Sequence, residues 1–197
     1  MEDYYQILAA VLTGMVTTGA FWHFLENFLS TRKKIKEKLQ LEDGLRKISN
    51  IYKRMEKMED LGAQRVILFA GHNNGGIPRL TCGFWVSSIF SHVSEEHSDK
   101  IREYNNIPVD STYVTTLIEA QGKAYKRYKV SEMPISQLKK YYESEGVKDS
   151  IIVFLGIHEH KFMYMSMANY DREFTSKEVT ALVLEAHNIR SLFDGFK

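Results

Sequence analysis

Three observations in the 197-residue sequence predict an α+β fold, an antiparallel sheet flanked by helices and preceded by a long N-terminal helix. Residues 65–93 and 150–168 each read as two apolar, β-branched runs joined by a short polar turn, the pattern of a hairpin. Segments with apolar residues at helical spacing lie between and after these hairpins. Ahead of them, residues 4–25 contain no Asp, Glu, Lys or Arg, and Arg32, Lys33 and Lys34 follow closely.

The N-terminal stretch is long enough to matter. Roughly 20 apolar residues in a helix cross a hydrocarbon core about 30 Å thick. Ile7, Leu8, Val11, Leu12, Met15 and Val16 supply an apolar body, with Tyr4 and Tyr5 at one end and Phe21, Trp22 and Phe24 at the other. Aromatic rings at both ends suit the two membrane interfaces. Ala10, Gly14 and Thr18 recur every four residues and mark a small-residue face where a second helix can approach. Residues 1–31 are therefore expected to be a transmembrane helix, with burial against another protein chain as the alternative. Residues 32–57 hold ten basic and four acidic side chains. That bias places the remainder on the cytoplasmic side, in contact with anionic lipid, as a single-pass membrane protein.

Residues 32–61 form the connector. Leu41, Leu45, Ile48, Tyr52 and Met55 are spaced 4, 3, 4, 3, a coiled-coil seam of about two heptads that predicts a homodimer or higher oligomer. The alternative is that this stripe packs on its own domain, and the two readings are compatible if the outer half pairs and the inner half docks. Leu61-Gly62 is the expected helix end, glycine taking the left-handed cap.

Residues 62–197 form the folded domain. Residues 65–70 and 80–93 are the first hairpin, around a turn at residues 71–76. Residues 94–105 suit a helix or a solvated crossing. Residues 110–119 read as a helix capped by Asp110 or Ser111. Residues 125–130 read as an edge strand, and residues 135–145 as a helix ending near Gly146. Residues 150–157 and 162–168 form the second hairpin. Thr175 with Glu178 three residues on is a capping box, opening a helix whose apolar face carries Val179, Leu182, Val183, Ala186, Ile189 and Leu192.

Composition excludes several functions. A net charge of +1 argues against a general nucleic-acid binder. The single cysteine, Cys82, rules out an intramolecular disulfide. His158 and His160 alternate without an evident third metal ligand, and the glycines of residues 71–76 lack the lysine and spacing of a P-loop. No catalytic group stands out.

From about Met55 onward the order of lead helix, hairpin, variable helices, second hairpin and closing helix resembles a GAF domain, with a PAS-like domain as the competing architecture. The resemblance is strongest over residues 142–193, in Glu145-Gly146-Val147-Lys148-Asp149-Ser150 and in Asn169-Tyr170-Asp171-Arg172-Glu173-Phe174-Thr175 followed by Glu178. It implies a non-catalytic sensory domain that binds a small molecule over one sheet face and dimerises through its terminal helices. The cyclic-nucleotide motif of that family is incomplete, since only Asn169, Phe174 and Glu178 match and Tyr170 stands in place of its lysine. Reduction of methionine sulfoxide needs several cysteines, and Cys82 among apolar neighbours suits a core thiol better than a bilin attachment. The resemblance therefore names no cofactor. Trp85, Tyr113, Thr116, Tyr128 and Tyr164, each with a polar end among apolar neighbours, are the candidate ligand-binding residues. With no output module in the sequence, a sensor of this kind signals through a separate partner protein. The alternative is a ligand-free adaptor or viral assembly protein built on the same scaffold.

Overall fold

The computed structural model describes residues 5–7, 10, 20–73, 83–100, 102–158 and 160–193. The chain divides into two units, Met1–Ile48 and Ser49–Lys197. In the first, residues 5–7 and 10 are helical and exposed, and Gly14 and Thr18 lie outside the described residues. Among the described residues no helix is long and apolar enough to cross a membrane, and most of the uncharged stretch at residues 4–25 falls outside them.

Helix α1, Ala20–Asp60, begins in the first unit and ends in the second. Phe28, Leu29, Ile35, Leu39, Leu41, Leu45 and Ile48 are exposed on it. Its surface also carries the exposed ion pairs Lys33–Glu37 and Lys38–Glu42, each at 3.9 Å and four residues apart. From Ile51 onward the helix changes character. Ile51, Met55 and Met58 are buried in the core of the second unit, so the predicted seam divides after Ile48, with Tyr52 half-exposed and its ring edge-on to Phe90 at 5.5 Å. Gly62, at φ +100°, ends the helix as expected.

Six strands follow: β1 Arg65–His72, β2 Trp85–Val93, β3 Ile107–Pro108, β4 Tyr125–Lys129, β5 Asp149–His158 and β6 Lys161–Asn169. They form one antiparallel sheet in the order β3-β2-β1-β6-β5-β4, so the two hairpins sit side by side through β1 and β6. Bulges interrupt β1 against β2 at Leu68/Phe69 and β5 against β6 at Phe154/Gly156. At the second bulge Gly156 takes φ +128°, which a side chain would resist.

Alternation along β1 sends Val66, Leu68 and Ala70 to one face and Ile67 and Phe69 to the other. The first face is covered by the end of α1 and by the closing helix, α4 (Ser176–Phe193), through Val179, Leu182, Ala186 and Ile189. The second face is covered by α2 (Ser111–Lys123) and α3 (Gln137–Glu145), through Tyr113, Leu117, Ala120, Leu138 and Tyr142. Asp110 caps α2, its Oδ1 accepting from the backbone N–H of Tyr113 at 2.8 Å. Helix α3 starts two residues later than the apolar pattern predicts. Ser136 is the better cap, accepting from the N–H of Lys139, and leaves Ile135 exposed. The charged segment expected as a helix or crossing is a 3-10 turn, Glu95–Lys100, followed by irregular backbone.

Asp149 locks the far edge. Fully buried at the start of β5, it accepts from Arg127 Nε and Nη2 at 3.0 and 2.6 Å and from the N–H of Phe174 at 2.7 Å. The Arg127 pKa is raised first by that hydrogen bond. The pair thus joins β4, β5 and the entry to α4.

Candidate functional site

Arg65 opens β1 and shares a side of the strand with Ile67 and Phe69, the side facing α2 and α3. Its guanidinium is therefore carried beneath α3, where only 3% of its surface is exposed. Glu145, at the last position of α3 and 4% exposed, pairs with Arg65 Nη1. The Tyr104 hydroxyl accepts from the same Nη1 at 3.0 Å and donates to Glu145. Burial works against the charge of Arg65, but Glu145, Tyr104 and Tyr170 outweigh it and hold the guanidinium pKa above its ordinary value. Burial pushes the Tyr104 phenol up, and the opposing pull of Arg65 does not cancel the effect.

Beside this cluster lies a cavity of about 30 Å³, lined by Arg65, Phe69, Val86, Tyr104, Tyr113, Tyr142, Glu145 and Ser166, together with Ile107, Leu138 and Tyr141. A space of that size holds about one water molecule. Aromatic rings close it. Tyr164, wholly buried on β6, stacks on Phe69 with centroids 5.1 Å apart, and its hydroxyl meets that of Tyr113 at 2.6 Å. Tyr142 accepts from Ser150 Oγ at 2.9 Å and lies 3.3 Å from Ser166 Oγ. Burial raises the pKa of Tyr113, Tyr142 and Tyr164, so all three are neutral hydrogen-bonding groups near pH 7.

Of the residues singled out from sequence, Tyr113 lines this cavity, and Tyr164 stands behind it, bonded to Tyr113 and stacked on Phe69. Thr116 and Tyr128 make a separate pair, Oγ1 to hydroxyl at 2.6 Å, between α2 and the edge strand β4. Trp85 does not join them. Its neighbour Val86 lines the cavity, and Trp85 lies one residue along β2, where alternation turns it away. Cys82 and residues 74–80 of the first turn lie outside the described residues, and no three of the described His, Cys, Asp and Glu side chains come together as a metal site.

Sequence reasoning passed over Arg65, Tyr104, Glu145 and Ser166. The available signal was period two. A charged residue at the head of the run Arg65-Ile67-Phe69, and a serine between Tyr164 and Ala168, place polar groups on a face that is otherwise apolar.

No known protein-family model and no curated protein matches the sequence. Solved structures do. The chain resembles the blue-light-absorbing form of the PixJ GAF domain of Thermosynechococcus elongatus, with a TM-score of 0.56 at 12% identity over 77% of this chain and 87% of that one. It resembles a far-red cyanobacteriochrome photoreceptor, with a TM-score of 0.56 at 14% identity over 85% and 97% of the two chains. The GAF domain of a two-component sensor histidine kinase from Bacillus halodurans gives 0.53 at 12% identity over 73% and 90%. At such identities the likeness speaks for architecture alone, and on that evidence the chain carries a GAF-domain fold.

Proposed function

We propose that this chain is a non-catalytic regulatory GAF module that binds a small molecule between its sheet and helices α2 and α3, and acts through self-association of helix α1. In this reading the N-terminal segment anchors it in a membrane, the domain faces the cytoplasm, and a separate protein carries the output. One observation supports this best. The helix that buries Ile51, Met55 and Met58 in the domain core leaves Leu41 and Leu45 exposed at 62% and 57%. The ligand face lies on the other side of the same sheet, so a change there reaches this helix through β1, whose Val66 and Leu68 face it while Ile67 and Phe69 face α2 and α3.

Disulfide trapping of the full chain in membranes tests self-association, in a Cys82→Ser background. Leu45→Cys should give a cross-linked dimer under mild oxidation. Asp43→Cys, about 200° back around the helix, should not. Equal trapping at both positions, or at neither, removes the argument. Native mass spectrometry of the full chain purified from cells, beside a denatured control, tests the ligand. A reproducible extra mass lost on denaturation is expected.

A ligand-free interaction module is the second reading, and the size of the cavity favours it. Small-molecule pockets commonly enclose about 300–1,000 Å³, against about 30 Å³ here. A protein that stays without added mass when offered cell extract decides for this reading.

A further inference from the structure

Every residue lining the cavity belongs to a helix or strand except Tyr104. It sits in residues 102–106, irregular backbone between the 3-10 turn and the two-residue strand β3. Three bonds to Ser88 hold its backbone, the longest from Ser88 Oγ to the Tyr104 carbonyl at 3.4 Å. The Ser88 N–H donates to the Tyr104 carbonyl at 2.8 Å, and the Tyr104 N–H donates to Ser88 Oγ at 3.2 Å. Its half-buried ring leans edge-on against Phe69, centroids 5.6 Å apart. Swinging it out breaks the bonds of its hydroxyl to Arg65 and Glu145, but it is the one wall on irregular backbone, and irregular surface segments open at far lower free energy than core strands.

Behind that wall the polar atoms are unevenly satisfied. The charges of Arg65 and Glu145 cancel, so a guest carrying its own charge would enter a buried site with no free counter-charge. Arg65 Nε nevertheless has no hydrogen-bond partner. The Tyr170 hydroxyl, outside the cavity lining on a ring 5.8 Å from Arg65 Cζ, also lacks a partner at full hydrogen-bond geometry, and the contact it makes with the Arg65 side chain is a weaker one. A buried donor left unpaired is destabilising, and an acceptor brought by a guest relieves that cost. The remaining walls include the flat rings of Phe69, Tyr113 and Tyr142.

We propose that Tyr104 is the gate of this cavity, and that its guest is a small, flat, uncharged molecule presenting a carbonyl or ring-nitrogen acceptor to Arg65 Nε. The proposal rests on the reading that the domain binds a small molecule at this face. A cavity of about 150 Å³ takes a benzene-sized guest, so swinging out or removing one aromatic ring brings this site to the required scale.

The test uses the full chain with Tyr104→Ala, titrated calorimetrically with three probes of one shape: benzamide (uncharged, with an acceptor), benzoate (charged) and toluene (no acceptor). Benzamide should bind at least tenfold more tightly than either of the others, and more tightly to Tyr104→Ala than to the unaltered chain. Adding Arg65→Lys, which keeps a cation for Glu145 but has no Nε–H, should abolish the preference over toluene. A preference for benzoate, equal binding of toluene, or a preference that survives Arg65→Lys overturns the proposal. Binding of no probe overturns it as well. If Tyr104→Ala does not fold, Tyr104→Leu, which keeps an apolar side chain without the ring, is read in the same way. Native mass spectrometry of the unaltered chain separates the two failures. An added mass with none of these preferences defeats the guest class alone, whereas no added mass defeats the ligand reading too.

Discussion

The hydroxyl groups of Tyr113 on α2 and Tyr164 on β6 lie 2.6 Å apart, joining the helical cover to the sheet at a point where neither ring reaches solvent. One hydroxyl donates and the other accepts. Tyr164→Phe strands the Tyr113 hydroxyl, and Tyr113→Phe strands that of Tyr164, at about 1–3 kcal/mol each. Replacing both removes two polar groups together, so the double variant should cost less than the sum of the two single ones by about 0.5–3 kcal/mol. Urea unfolding of the four proteins measures this coupling, and strict additivity would refute it.

Arg65 and Glu145 test the other polar contact beneath α3. Breaking a buried ion pair by removing one partner costs about 3–5 kcal/mol, whereas exposed pairs contribute about 0–1. Glu145→Ala should therefore destabilise the domain strongly. Glu37→Ala, which breaks the exposed pair with Lys33, should change stability by under about 0.5 kcal/mol. Thermal denaturation of both variants checks the contrast. A similar Tm for the two would mean that Tyr104 alone holds the buried cluster together.

The capping box at α4 carries a pH dependence of known sign. Glu178 accepts from the N–H of Thr175 at 2.7 Å, and Thr175 Oγ1 accepts from the N–H of Glu178 at 3.3 Å. Arg172 chiefly, and then Thr175 against the opposing effect of burial, lower the Glu178 pKa from 4.5 to about 2. The unfolded chain thus takes up this proton first as acid is added. Its contribution to stability is present above pH 4.5 and is lost as the pH falls through about 2. Arg172 is half exposed, so the contribution is discounted to about 1 kcal/mol. Glu178→Gln should flatten the stability profile over that window and leave its shape near neutrality unchanged. An unaltered acid limb in urea titrations at several pH values would contradict the assignment.

Regular elements were legible in the sequence wherever a single periodicity ruled. The second hairpin, the Thr175–Glu178 box and the Asp110 cap depend on residues adjacent in sequence, and the structure places them within a residue or so of expectation. The division of α1 was half legible. Spacing marks Leu41, Leu45, Ile48, Tyr52 and Met55 as one stripe, but only the sheet beneath determines that Met55 is buried and Leu45 is not. The cavity was hardly legible. Arg65, Tyr104 and Glu145 are 39 and 41 residues apart in turn, and their meeting depends on where β1, an irregular segment and the end of α3 come to rest. Trp85 shows the converse. Its type suited a pocket, yet the register of β2 gives that place to Val86.

Glu185 offers a test of how α1 is held to the domain. It is buried on α4, accepts from Arg54 Nη1 at 2.8 Å and also pairs with Lys57, both on α1. Burial alone would raise its pKa, but Lys57 and Arg54 overcome that and hold it below the ordinary value. Either cation alone still compensates the carboxylate, so Arg54→Ala or Lys57→Ala singly should cost about 1 kcal/mol or less, in line with partly exposed pairs. Removing both strands a buried charge, and the loss should rise well beyond the sum, towards about 3–5 kcal/mol. The sign of the pH dependence should then reverse. In the double variant only the hydrogen bond from Asn188 still opposes burial, the largest influence on Glu185, so its folded-state pKa should rise above the unfolded value, and stability present in acid is lost as the pH increases through that raised pKa. Urea titrations of the four proteins at pH 5 and pH 8 read both effects. Additive losses with no new pH dependence would show that Glu185 reaches water once its partners are gone, and that the grip of α1 on the sheet rests on Ile51, Met55 and Met58 alone.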